Sequence, residues 1–125
     1  MRELSKTTLL GRVHQQASLE ESHDVEALYQ FIDPAIRGRR ERERQDEPNL
    51  TLSELREFVS RVETAQVEEV DILEARKVST RHGGRPAALV QSVIRYNHEA
   101  KPQRFRTIWV KEGDTWYSTR VSRKW

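Results

Sequence analysis

The pair Gly83-Gly84, set between two long runs of extended character, constrains this chain more than any other feature. Residues 67–80 and 85–97 are rich in β-branched and apolar side chains, and the adjacent glycines between them supply the positive φ angles that a two-residue hairpin turn needs. Each run is about twice the usual strand of ~5–6 residues, so the hairpin has to twist and bend, usually at a bulge. Residues 104–111 and 115–122, joined through Glu112-Gly113-Asp114, predict two further strands of the same antiparallel meander.

Such a sheet needs cover on one face, and the first half of the chain offers it. Leu4, Leu9, Leu10 and Val13 fall loosely on one side of a helix over 3–16, which Gly11 weakens. Ser18 with Glu21 fits a capping box ahead of Val25, Leu28, Tyr29 and Ile32, predicting a helix over 18–32. Pro34 then bends the chain, with Asp33 as N-cap of a restart through Ile36. Thr51 with Glu54 makes a second capping box, and Leu52, Leu55, Phe58, Val59 and Val62 predict an amphipathic helix over 51–64. The intervening run 37–47 alternates Arg and Glu; Glu41, Glu43, Asp46 and Glu47 offset the arginines, which favours a solvated helix end or loop over a nucleic-acid arm. The expected class is α+β: N-terminal helices packed on a curved antiparallel sheet of four or more strands. It forms a single domain over 1–125, with 1–17 as a loosely attached helix.

Composition narrows the chemistry. The absence of cysteine excludes disulfides, thiolate metal sites and a cysteine nucleophile. No stretch approaches the ~20 apolar residues of a membrane span, so no membrane partner and a cytoplasmic location are expected; a removed export signal ahead of Met1 is the open alternative. His14, His23, His82 and His98 lack metal-ligand spacing, and no phosphate loop or serine elbow is present, so neither metal nor cofactor is expected. From Lys101 onward seven Lys or Arg face only Glu112 and Asp114. Cations beside Phe105, Trp109, Trp116 and Trp125 would suit nucleic acid, yet the same aromatics fit a core wall or a dimer surface, the preferred reading.

Three stretches carry a family likeness: Ala27-Leu28-Tyr29-Gln30-Phe31-Ile32-Asp33-Pro34, the hairpin around Gly83-Gly84, and Ile108-Trp109-Val110-Lys111-Glu112-Gly113-Asp114-Thr115-Trp116-Tyr117. Over about residues 18–122 the chain resembles the nuclear transport factor 2-like superfamily (SnoaL-like, cystatin-like cone), shared by ketosteroid isomerases and many small bacterial proteins. The resemblance implies a cone-shaped α+β barrel, a pocket between sheet and helices in many members, and frequent dimers. It does not imply one function.

If Gly83 and Gly84 alone form the turn, Asp71 lies opposite Tyr96, and Glu69 opposite His98. A carboxylate beside a phenol is similar to the acid and tyrosine of ketosteroid isomerases, which makes Asp71 and Tyr96 the candidates for an isomerase or dehydratase. Glu68, Glu69 and Glu74 crowd the same strand, however, so Asp71 is expected to be solvent-accessible. The leading expectation is a non-catalytic domain that binds a small apolar ligand or a protein, its pocket lined by Tyr29, Tyr96, Trp109 and Tyr117. Nucleic-acid binding by the basic final hairpin is a third reading. Exposed tryptophans on the outer face of the sheet predict a homodimer.

Overall fold

The computed structural model describes residues 4–37 and 51–120, with side chains from residue 8 onward. Helices α1 (Leu4–Ser22), α2 (Val25–Tyr29) and α3 (Leu52–Val59) precede four strands, β1 (Ala65–Ser79), β2 (Arg85–Tyr96), β3 (Gln103–Glu112) and β4 (Thr115–Ser118). The strands form one open antiparallel sheet in the order β1-β2-β3-β4, so the α+β class and the meander are as expected. Most of the charged run 37–47, the end of the expected last strand at 121–122, and Trp125 lie outside the described residues.

The helical half departs from expectation at Ser18. This residue caps nothing, because α1 runs through it without a break and buries Leu9, Val13, Ala17 and Glu20 along one side. The helix stops at His23, whose φ of 62° is left-handed. His23 N–H donates to the Glu20 carbonyl and Asp24 N–H to the Leu19 carbonyl, the paired bonds of a Schellman end. Asp24 then caps α2 by accepting from Ala27 N–H at 3.2 Å. Among the described residues no helix restarts at Pro34: Asp33 accepts from Ala35 N–H, as an N-cap would, but residues 34–37 make only a turn. The Thr51–Glu54 capping box forms reciprocally at 3.2 and 3.3 Å, and α3 ends at Val59, earlier than its apolar pattern extends.

Strand register also departs from the two-glycine turn. A one-turn 3₁₀ helix, Thr80–His82, precedes Gly83 and Gly84, so the strands close at Ser79 opposite Arg85. Irregularities at 67/69, 72/74 and 76/79 then slip the pairing further along β1. Each extra residue keeps the apolar side chains on the covered face: Ala65, Val67, Val70, Ile72 and Ala75 all pair with β2 residues of that face, across both breaks in alternation. The second half of β1 stays open to water, with Leu73 and Val78 exposed beside Glu74, Arg76 and Lys77. Bulges and charge blunt this edge against further pairing.

On the helix side, Leu9 and Val13 pack with Phe31, Ala88, Val90, Trp109 and Trp116. Each fully buried large aliphatic side chain contributes about 1.5–3 kcal/mol. Trp109 is 2% and Trp116 6% exposed, so these two tryptophans belong to the core and give no support to a dimer through an aromatic outer face. Phe105, Trp109 and Trp116 do share one face, as expected. Tyr117 points to the other, where it packs on Ala87, Leu89, Ile108 and Val110.

Candidate functional site

The residues expected to cooperate are kept apart. Asp71 pairs with Gln91 and is exposed, as its acidic neighbourhood suggests, whereas Tyr96 pairs with Ala65. The bulges and the wider turn shift the register by several residues, so no Asp71–Tyr96 pair exists; His98 sits in the turn after β2, not opposite Glu69. Tyr29, Tyr96, Trp109 and Tyr117 belong to four separate apolar clusters.

Tyr96 nevertheless meets a carboxyl group. It emerges on the covered face at the end of β2, beneath the last turn of α1, and donates its hydroxyl to Glu20 Oε1 at 2.7 Å. Glu20 is 5% exposed, because the unbroken α1 carries it inward one turn after Ala17. The aromatic ring of Tyr96 stands edge-on between Phe58 of α3 and Phe105 of β3, each 6.3 Å away, at interplanar angles of 85° and 82°. Arg120, two residues past β4, completes the group with its guanidinium 5.8 Å from the Phe58 ring.

The electrostatics of this cluster are unbalanced. Burial pushes the Glu20 carboxyl above its ordinary value, opposed by the charge of Arg120 and by the Tyr96 hydrogen bond. Burial and the neighbouring Glu20 push the Tyr96 hydroxyl far above its ordinary value, so it stays protonated. Burial lowers Arg120, with Glu20 and Tyr96 acting the other way. The Arg120 Nε is buried and has no hydrogen-bond partner among the described residues, and Arg120 itself has φ 60°, left-handed for a non-glycine.

A second polar group closes the other end of the sheet. Arg85 donates to both oxygens of Asp33, Nη1 to Oδ1 at 2.6 Å and Nη2 to Oδ2 at 3.0 Å, and reaches Glu112 at 3.0 Å. Asp33 N–H donates to the Ser118 carbonyl and Ser118 N–H to the Phe31 carbonyl, so residues 31–33 run beside β4. Beside this clamp lie two buried atoms without a hydrogen-bond partner among the described residues, Ser79 Oγ and His82 Nε2, and burial followed by the charge of Arg85 holds His82 below its ordinary value.

A third feature is an open cleft of about 280 Å³ lined by Glu21, Thr64, Ala65, Gln66, Arg95 and His98. Two of its polar side chains are already engaged: Arg95 bonds Glu68 and the carbonyls of Glu99 and Ala100, and Glu21 accepts from Ala65 N–H. Among the described residues no three His, Asp or Glu side chains converge as a metal site, and no helix is long and apolar enough to cross a membrane. No protein-family model matches the chain, and no curated protein matches it.

Sequence reasoning found Tyr96 but missed Glu20 and Arg120. The signal for Glu20 was its spacing of three, seven and eleven residues from Ala17, Val13 and Leu9, which places it on the buried side of any helix that runs through Ser18. Nothing local marks Arg120.

Proposed function

We propose that this chain is a small-ligand-binding domain whose recognition centre is the Glu20–Tyr96–Arg120 cluster. One observation carries the reading: among the described residues a buried guanidinium N–H has no partner, near a buried carboxyl group that accepts from the Tyr96 hydroxyl. An unsatisfied buried polar atom costs ~1–3 kcal/mol and contributes nothing to the folded state, whereas a ligand could satisfy it. The order of helices followed by a four-strand meander, with polar groups turned toward the helices, also supports a cone of the nuclear transport factor 2-like kind.

A proton-transfer enzyme is the second reading, favoured by the 2.7 Å contact between a phenol and a carboxyl group pushed toward neutrality. Thermal-shift and ¹H–¹⁵N NMR screening of small organic acids, amides and ketones tests the binding reading: hits should perturb Glu20, Tyr96 and Arg120 together. Hits confined to the cleft around His98 would reject it. Deuterium exchange into a bound ketone, lost in Glu20→Gln, would favour the enzyme.

A further inference from the structure

We propose that Arg120 anchors the carboxylate group of a small organic acid whose aromatic or branched body packs against Phe58 and Phe105. The inference rests on the binding reading above and specifies its ligand.

Charge around Arg120 points to an anion. Among the described residues Glu20 is the one carboxyl group whose charge acts on Arg120, and the two make no ion pair; its Oε1 is held by Tyr96. A guanidinium fixed in this way keeps donors in a planar fork, and carboxylate geometry matches that fork. The ring of Phe58 already lies under the guanidinium and Phe105 stands on the far side of Tyr96, so the walls beyond the charged point are apolar. Phe58, Phe105 and Arg120 each keep part of their surface exposed although the Arg120 Nε itself is buried, so a ligand would approach from the side where α3, β3 and residues 119–120 meet. A carboxylate entering there would take the free Nε–H and supply the ion pair that Glu20 does not make. Glu20 would then face a second acid across the guanidinium, and its neutral form would be favoured in the complex.

The experiment compares benzoate with benzamide, its neutral isostere, and with inorganic phosphate, using the ¹⁵N-labelled chain and following the Arg120 Nε–H resonance. Benzoate should shift that resonance and bind tighter than benzamide by roughly ten-fold or more, the loss expected for one charge-assisted contact. Arg120→Met should abolish the preference, and Glu20→Gln, which removes the acid facing the bound carboxylate, should bind benzoate tighter than the wild type. If Arg120→Met does not fold, Arg120→Lys should weaken benzoate several-fold, because an ammonium cannot reproduce the fork; unchanged affinity overturns the proposal. Equal affinity for benzamide at the same residues overturns the carboxylate assignment while leaving the small-ligand reading intact, as does phosphate binding as tightly as benzoate. No perturbation of Glu20, Tyr96 or Arg120 by any of the three, nor by the acids, amides and ketones screened above, sinks both.

Discussion

The two ends of the sheet carry polar groups of similar composition and opposite completeness. At one end Arg85 meets Asp33 through two parallel bonds, Asp33 is almost fully buried, and the pair ties the Pro34 bend to the start of β2. At the other, Arg120 feels the charge of Glu20 but, among the described residues, makes no ion pair with it, and a guanidinium nitrogen has no hydrogen-bond partner there. A bidentate pair gains enough Coulomb and hydrogen-bond energy to offset desolvation; an incomplete one does not. The same residue types therefore serve structure at one end and remain available for recognition at the other.

The largest effect should come from breaking the complete pair. Arg85→Ala leaves the Asp33 carboxylate buried without its cation, and unfolding in urea should show a loss of about 3–5 kcal/mol. A loss below ~1 kcal/mol would show that the clamp is no stronger than a surface bridge and would erase the contrast between the two ends.

Acid and base sharpen the contrast because the two ends titrate in opposite directions. Glu20 is raised from 4.5 on folding, so its stabilising contribution is complete below that value and is lost as pH rises toward its folded pKa. His82, beside the clamp, is lowered from 6.5, so its contribution is complete above that value and is lost as pH falls toward its folded pKa. Each group can contribute a slope of at most ~1.4 kcal/mol per pH unit. Stability measured from about pH 4 to about pH 8, a range that brackets both ordinary values, should lose the Glu20 slope in Glu20→Gln and the His82 slope in His82→Gln. A slope that survives its own substitution assigns that titration elsewhere.

Replacing the incomplete group should matter less to folding. Glu20→Gln keeps an acceptor for Tyr96 and removes a buried charge, while Arg120→Met removes the unbonded N–H; each should change stability by no more than about 1 kcal/mol, in either direction. A loss near that of Arg85→Ala would make the cluster a structural pair after all.

These two ends were unequally legible in the sequence. The sheet, its meander order, the Thr51–Glu54 cap and the shared face of Phe105, Trp109 and Trp116 follow from alternation and turn chemistry, which act over a few residues. Register did not follow, because each bulge in β1 changes the facing partner without changing the apolar pattern on the covered face, so Asp71 was set opposite Tyr96 when Gln91 is its partner. Ser18 and Glu21 carry a valid start signal, yet burial of Ala17 and Glu20 on a continuous helix overrides it, and that override hid the acid of the candidate site. Asp33 was singled out as a helix cap; its second role needed Arg85, fifty-two residues away.

The smallest expected effect tests whether the ends respond independently. α1 serves both: Arg12 donates to the Trp116 carbonyl at 2.9 Å and stacks 3.6 Å from the Phe31 ring, while Glu20 reaches Tyr96 two turns further on. Gly11 lies between the helix start and Glu20, exposed, with no atom near the place a Cβ would occupy. Alanine there reduces the freedom of the unfolded chain without a new contact, so Gly11→Ala should raise stability by about 0.5–1 kcal/mol in denaturant melts. The increment should be the same in Arg85→Ala and Glu20→Gln backgrounds, because substitutions separated from each other without shared partners add within ~0.5 kcal/mol. A larger gain in Glu20→Gln alone would mean that the last turn of α1 is held down by the Glu20–Tyr96 bond and frays when its charge is removed. The recognition cluster would then be a determinant of helix length as well, and the division between a structural end and a binding end would have to be redrawn at α1.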